Sequence, residues 1–162
     1  MSPFLRMKRL FPWRPQCKRN LVGDRHQLSQ PQLSGSPGWI LLTHNEENAA
    51  VALFVDNNEK VETFKIILDE RMFSDTVLRV VKLSPRLFVL CDIRWLNGVN
   101  VFEKMNFEKR KETIRELLDL FHFPDLVGFV LPEDVPIDSV IRGHEYYDDQ
   151  PGTLGVFLPA DE

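Results

Sequence analysis

An α+β fold, with a mainly antiparallel sheet and one principal amphipathic helix, is predicted by three features. Short apolar runs recur from Trp39 onward, each closed by a polar or Pro/Gly-containing turn. One longer segment, beginning at Phe107, carries its apolar residues at helical spacing. The runs greatly outnumber that helix, and no internal repeat organises them.

A chain of 162 residues suffices for one domain with a real core and is too short for two full ones. No apolar run approaches the ~20 residues that span a bilayer, so no transmembrane segment is expected. The two cysteines, Cys17 and Cys91, have no partner at metal-ligand spacing. That favours a reducing, cytoplasmic or nuclear setting over a disulfide framework.

The net charge of −4 conceals an asymmetry, because residues 1–25 hold seven basic residues against Asp24 alone. Pro3, Pro12, Pro15, Pro31 and Pro37 and a Gln/Ser-rich stretch mark residues 1–37 as a flexible basic arm and linker ahead of one domain, 38–162. Arg6, Lys8, Arg9, Arg14, Lys18 and Arg19 are interleaved with large apolar side chains. This suits a nuclear-import or nucleic-acid-binding arm, a mitochondrial presequence, or a short surface-docking helix. A solvated tail with no dedicated role is the plain counterpart. An uninterrupted apolar stretch of secretory type is missing.

The elements follow in order. Trp39–Thr43, Ala49–Val55 and Val61–Leu68 are three strands of an antiparallel meander, joined by turns at 44–48 and 56–59. A charged connection, 69–75, offers Met72 and Phe73 to the core edge. Thr76–Leu83 and Leu87–Trp95 are the fourth and fifth strands. The fifth is apolar on both faces at first and then alternates, with Asp92 and Arg94 on one side. Gly98 ends it, free to take positive φ. The helix has Asn106 as N-cap, an apolar stripe of Phe107, Ile114, Leu117, Leu118 and Phe121, and Pro124 as its stop. Lys109, Lys111, Glu112, Arg115, Glu116 and Asp119 are assigned to its other face. Leu126–Leu131, a short edge strand near Val140 and Ile141, and Thr153–Pro159 complete the chain.

No hydrolase elbow, phosphate loop or dinucleotide fingerprint occurs. Cys91 lies in an apolar strand, where a thiol is packing. His144, Glu145, Asp148 and Asp149 form the densest potential metal-ligand cluster, but an acidic turn before Pro151 and Gly152 is usually a solvated loop. Trp39, Asp92, Arg94 and Trp95 carry the ligand-binding expectation. A carboxylate that accepts from a base edge, a guanidinium for phosphate and indoles for stacking would suit a nucleotide or RNA end. The structural counterpart is an ion pair at the sheet margin with tryptophans that pack.

FVLCDIRWLNG, followed by the charged helix, resembles the covalent nucleotidyltransferase fold of DNA and RNA ligases and mRNA capping guanylyltransferases. In that family a strand of type F-x-x-F-D-I-x-x-x-N-G precedes an F-x-x-R helix start. The matching residues here are Phe88, Asp92, Ile93, Asn97, Gly98, Phe107 and Arg110. The resemblance spans about residues 38–121. The chain departs from it by lacking the K-x-D-G lysine nucleophile, without which the covalent step cannot occur. The resemblance therefore implies a reduced, non-catalytic relative with no cofactor. The snurportin cap-binding domain uses the same fold without the lysine, holding a methylated RNA cap between aromatic rings. Together these readings predict a nucleotide- or RNA-binding domain, of cap-binding type, with a basic arm. The alternative is a protein-interaction or assembly module, such as a viral one, with no nucleotide ligand.

Overall fold

The computed structural model describes residues 16–17, 28–66, 68, 70–119, 127–136, 138–148, 150–152 and 154–159. The basic residues of the expected arm lie outside these. In chain order the strands are β1 (Gln16–Cys17), β2 (Leu28–Leu33), β3 (Ser36–His44), β4 (Ala50–Asp56), β5 (Val61–Phe64), β6 (Thr76–Ser84), β7 (Leu87–Leu96) and β8 (Val99–Asn100). Helices α1 (Val101–Lys104) and α2 (Phe107–Leu118) follow, then β9 (Gly128–Val130), β10 (Ile141–Tyr147) and β11 (Val156–Pro159).

The α+β expectation is corrected: the described residues are mostly β, 51% strand and 19% helix, with two α-helices among them. The reason is that residues 28–33, taken as linker, are also strand, while α1 is a single turn. Antiparallel pairing still dominates. The larger sheet runs β5-β4-β3-β6-β7-β8, with β9 parallel to β7, and the smaller runs β1-β11-β10-β2. The domain boundary at residue 38 moves accordingly. In β2, Gln30 and Leu33 are buried, and Pro31 is accommodated because β2 is the margin of the smaller sheet. β10, expected at an edge, lies between β11 and β2.

The turns obey local chemistry. The Asn45 side-chain oxygen accepts from the Glu47 and Ala49 amides, and Asp56 accepts from those of Asn58 and Lys60. Asn97 and Gly98 take positive φ (50° and 85°), closing a two-residue hairpin between β7 and β8. Asn106 caps α2, its side chain accepting from the Lys109 amide at 2.9 Å.

The larger sheet is buried on both faces. One face gathers Ile40, Leu42, Phe54, Leu78, Val80, Phe88 and Leu90 with Ile114 and Leu117 of α2. The other carries Trp39, Leu41, Leu53, Val55 and Val77, and nearer β2 the cluster Leu33, Val81, Val89 and Cys91. Helix α2 packs beside β7, and its first residue, Phe107, stacks on Tyr147 of β10 at 3.8 Å. It thereby ties the two sheets together.

Candidate functional site

β7 does not run straight. Leu78 pairs with Ile93 and Val77 with Trp95, so Arg94 has no partner on β6; Cys91 is skipped likewise between Leu90 and Asp92. These are β-bulges, which re-aim side chains. Pairing also sets Val55, Trp39, Arg79 and Asp92 in one row across β4, β3, β6 and β7. The row turns toward the smaller sheet and makes the boundary between the sheets a polar seam.

At the seam Asp92 accepts from Arg110 Nε at 2.8 Å and Nη2 at 3.3 Å. Arg110 also donates to the Met105 carbonyl at 2.8 Å. Arg94 Nε lies 3.3 Å from the second Asp92 oxygen, close enough for an ion pair but not aligned as a hydrogen bond. Among the described residues, Nε, Nη1 and Nη2 of Arg94 find no hydrogen-bond acceptor, although the side chain is 0% exposed. Aromatic rings flank it: its guanidinium carbon is 4.3 Å from the Phe102 centroid and 5.5 Å from that of Trp39.

A second network crosses the seam. Arg79 Nη2 donates to Glu145 of β10 and, at 3.1 Å, to the Tyr147 hydroxyl. Tyr147 in turn donates to Glu145 at 2.7 Å. Gln30 and Gln32 of β2 donate to the two Glu145 oxygens at 2.9 and 2.7 Å. Lys111 donates to Gln30 at 2.8 Å and pairs with Glu133 at 3.5 Å.

Burial alone would raise the Asp92 and Glu145 carboxyls. Arg110 and Arg94 outweigh it at Asp92, and Arg79 at Glu145, so both are held below their ordinary values. Burial lowers the Arg94 guanidinium to about 10, which leaves it charged at neutral pH. It pushes the Cys91 thiol up to about 12, far from a nucleophilic thiolate. Lys111 is lowered by burial, against the attraction of Glu133.

The four residues proposed for ligand binding do meet. Trp39, Asp92 and Arg94 are in contact, and Trp95 packs on the same cluster as Trp39. They meet inside the protein. Asp92 and Arg94 are not at an exposed strand end, and Trp95 alone is only partly buried. Bulging and the overlying smaller sheet account for the difference. The described members of the weak metal-ligand cluster do not converge. His144 faces solvent, Glu145 faces the seam and is engaged by Arg79, and Asp148 accepts from the Gln150 amide. Neighbouring strand residues point to opposite faces, so His144 and Glu145 diverge. Asp149 lies outside the described residues, among which no group of three metal-ligating side chains forms.

Sequence reasoning missed Gln30, Arg79, Arg110 as an interior cation, Lys111 and Tyr147. One signal was present: Arg79 interrupts an otherwise apolar strand, where a charge needs a buried partner. Lys111 was assigned to the solvent face of α2, yet it is buried against Gln30. Its burial depends on β2, which local periodicity does not reveal.

At the far margin of the larger sheet, a groove of about 780 Å³ runs along β4 and β5, lined mainly by Ala52, Phe64, Ile66, Leu68 and Phe73. Among the described residues, no helix is long and apolar enough to cross a membrane. The chain matches no protein-family model and no curated protein.

Proposed function

We propose that the chain is a non-catalytic nucleotide- or RNA-binding domain that draws the anionic part of its ligand to the inter-sheet seam. The observation that carries this reading is the charge of the seam. Arg79, Arg94, Arg110 and Lys111 are buried around the carboxylates of Asp92 and Glu145, with Glu133 answering Lys111. Among the described residues Arg94 shares its one carboxylate, Asp92, with Arg110 and is the cation in surplus. A buried cation in excess of its carboxylates is costly unless something anionic answers it. Trp95, the next residue and only partly buried, would offer its indole to a base, and the arm's Arg6, Lys8, Arg9, Arg14, Lys18 and Arg19 would add attraction to phosphates.

The test is titration of the full chain with a labelled single-stranded oligoribonucleotide, and separately with a methylated cap analogue, at two salt concentrations. The expected result is binding that weakens with salt and falls several-fold on Trp95→Ala or on replacing the six arm cations by Ser. Binding indifferent to both changes, or none at low salt, overturns the reading.

A protein-interaction module is the second reading, favoured by β5. This strand ends the larger sheet with no strand beyond it among the described residues, and the apolar groove lies alongside. Such an edge accepts an extended partner segment as an added strand. Thr63→Pro would remove a partner capture that the first reading does not predict.

A further inference from the structure

We propose that the Nη1/Nη2 edge of Arg94 is an interior oxyanion site that takes a phosphate group through two parallel hydrogen bonds. It deepens the nucleotide-binding reading and rests on it for the natural ligand, since inorganic phosphate and a nucleotide's phosphate offer the same oxygens.

Three observations converge on that edge. First, Arg94 is the unpaired residue of a bulge, so its side chain is aimed by a backbone irregularity rather than by the ladder. Second, three side chains already stand close to the guanidinium. The Phe102 and Trp39 rings lie 4.3 and 5.5 Å from the guanidinium carbon and Asp92 stands beside Nε, which leaves the Nη1/Nη2 fork without an acceptor among the described residues. That fork matches two oxygens of one oxyanion. Third, Arg94 is not alone in lacking acceptors. Arg79 Nε is also buried without an acceptor among the described residues, and the Arg79 charge opposes that of Arg94. Unsatisfied N–H groups on two neighbouring cations, with one charge in surplus, suit a tetrahedral phosphate, which offers more acceptor oxygens than a carboxylate. A water molecule could accept from the fork, but it would leave the charge surplus untouched.

The Trp39 and Phe102 rings also explain why the site tolerates burial. A guanidinium close to two aromatic rings keeps part of its electrostatic compensation in a dry setting. Ligand entry then requires the smaller sheet to move away from β7, because Arg94 has no exposed surface. The Arg79–Glu145 and Lys111–Gln30 contacts are the bonds that must yield.

The experiment follows thermal unfolding of the full chain at matched ionic strength, with sodium chloride, sodium phosphate, a nucleoside monophosphate, or the corresponding nucleoside. Phosphate and the monophosphate should raise the Tm saturably by a few degrees, and the nucleoside should not. Arg94→Met removes the charge at similar volume, should fold, and should lose the phosphate response; Arg94→Lys should keep only part of it. Equal Tm values in phosphate and chloride overturn the site. Should Arg94→Met fail to fold, crystals of the parent soaked in selenate decide. An anomalous peak within hydrogen-bonding reach of Nη1 and Nη2 supports the site, and a peak elsewhere, or ordered water only, overturns it. RNA binding unaffected by Arg94→Met, with the phosphate response lost in that variant, would uphold the oxyanion site and overturn the seam as the anchor for RNA. A phosphate response without nucleotide or RNA binding would uphold the site and sink the nucleotide reading.

Discussion

Arg110 closes on Asp92 across 18 residues of sequence, Nε to Oδ1 at 2.8 Å, with both side chains sealed from solvent. The strand and the helix start that resemble a nucleotidyltransferase motif are thus joined by an interior ion pair. Removing one member strands the other's charge. Arg110→Ala is expected to cost about 3–5 kcal/mol in urea unfolding. Replacing both, as Asp92→Leu with Arg110→Met, should cost clearly less than the sum of the single changes. Additive costs would show that the pair is not coupled.

Acid should weaken the fold. The Asp92 and Glu145 carboxyls are held below their ordinary values, near 3.9 and 4.3 for free side chains at about that precision. The folded state therefore binds protons less readily than the unfolded one. Their contribution is fully present above about pH 4–5 and is lost as pH falls toward the folded-state values. The urea midpoint should drop between pH 6 and pH 3, and Glu145→Gln should both lower it at pH 7 and flatten that slope. A midpoint constant over this range contradicts the prediction.

The Cys91 thiol should be silent. Burial lifts it to about 12, and its side chain is 2% exposed. In a Cys17→Ser background, a disulfide-exchange reagent at pH 8 should label the native chain only as fast as it unfolds, and label it at once in denaturant. Rapid native labelling would mean that the seam opens readily on its own.

Gly155 permits the Tyr147 position. A Cβ there would lie 2.5 Å from the Tyr147 ring. Since Tyr147 is wedged between Phe107 and the Arg79–Glu145 pair, it cannot easily move aside. Gly155→Ala should destabilise by about 1–3 kcal/mol, and Tyr147→Phe in the same chain should not relieve it, because the ring and not the hydroxyl is struck.

Truncation tests the revised boundary. A chain starting at residue 38 loses β2, and with it Leu33 from the core and Gln30 from Glu145 and Lys111. It is expected to unfold at markedly lower denaturant than one starting at residue 28. Equal stability would return residues 28–37 to the status of a linker.

Much of the strand plan was legible because local chemistry fixes it. Apolar runs such as Trp39–Thr43 and Thr76–Leu83 lie between Asx-bearing or Pro-bearing turns that can hardly do otherwise. The Asn97–Gly98 hairpin and the Asn106 cap were readable for the same reason. Gln30 and Pro31 in β2 were not, because nothing apolar or periodic distinguishes LSQPQL from a linker. It becomes a strand because β10 offers a ladder and Glu145 offers hydrogen bonds to its glutamines.

What the sequence determined by itself, then, is the set of β3 to β7, the α2 segment, and the presence of Asp92 and Arg94 on one stretch of strand. Those depend on short-range periodicity and capping, which are properties of neighbouring residues. Only the tertiary structure decided that the fold is mostly β, that Asp92 belongs to Arg110, and that Arg94 faces the interior with its fork unsatisfied. Each of those depends on partners brought from more than a dozen residues away by bulges, pairing and the second sheet. Burial of a charge is a fact about what surrounds it, and no local pattern encodes that.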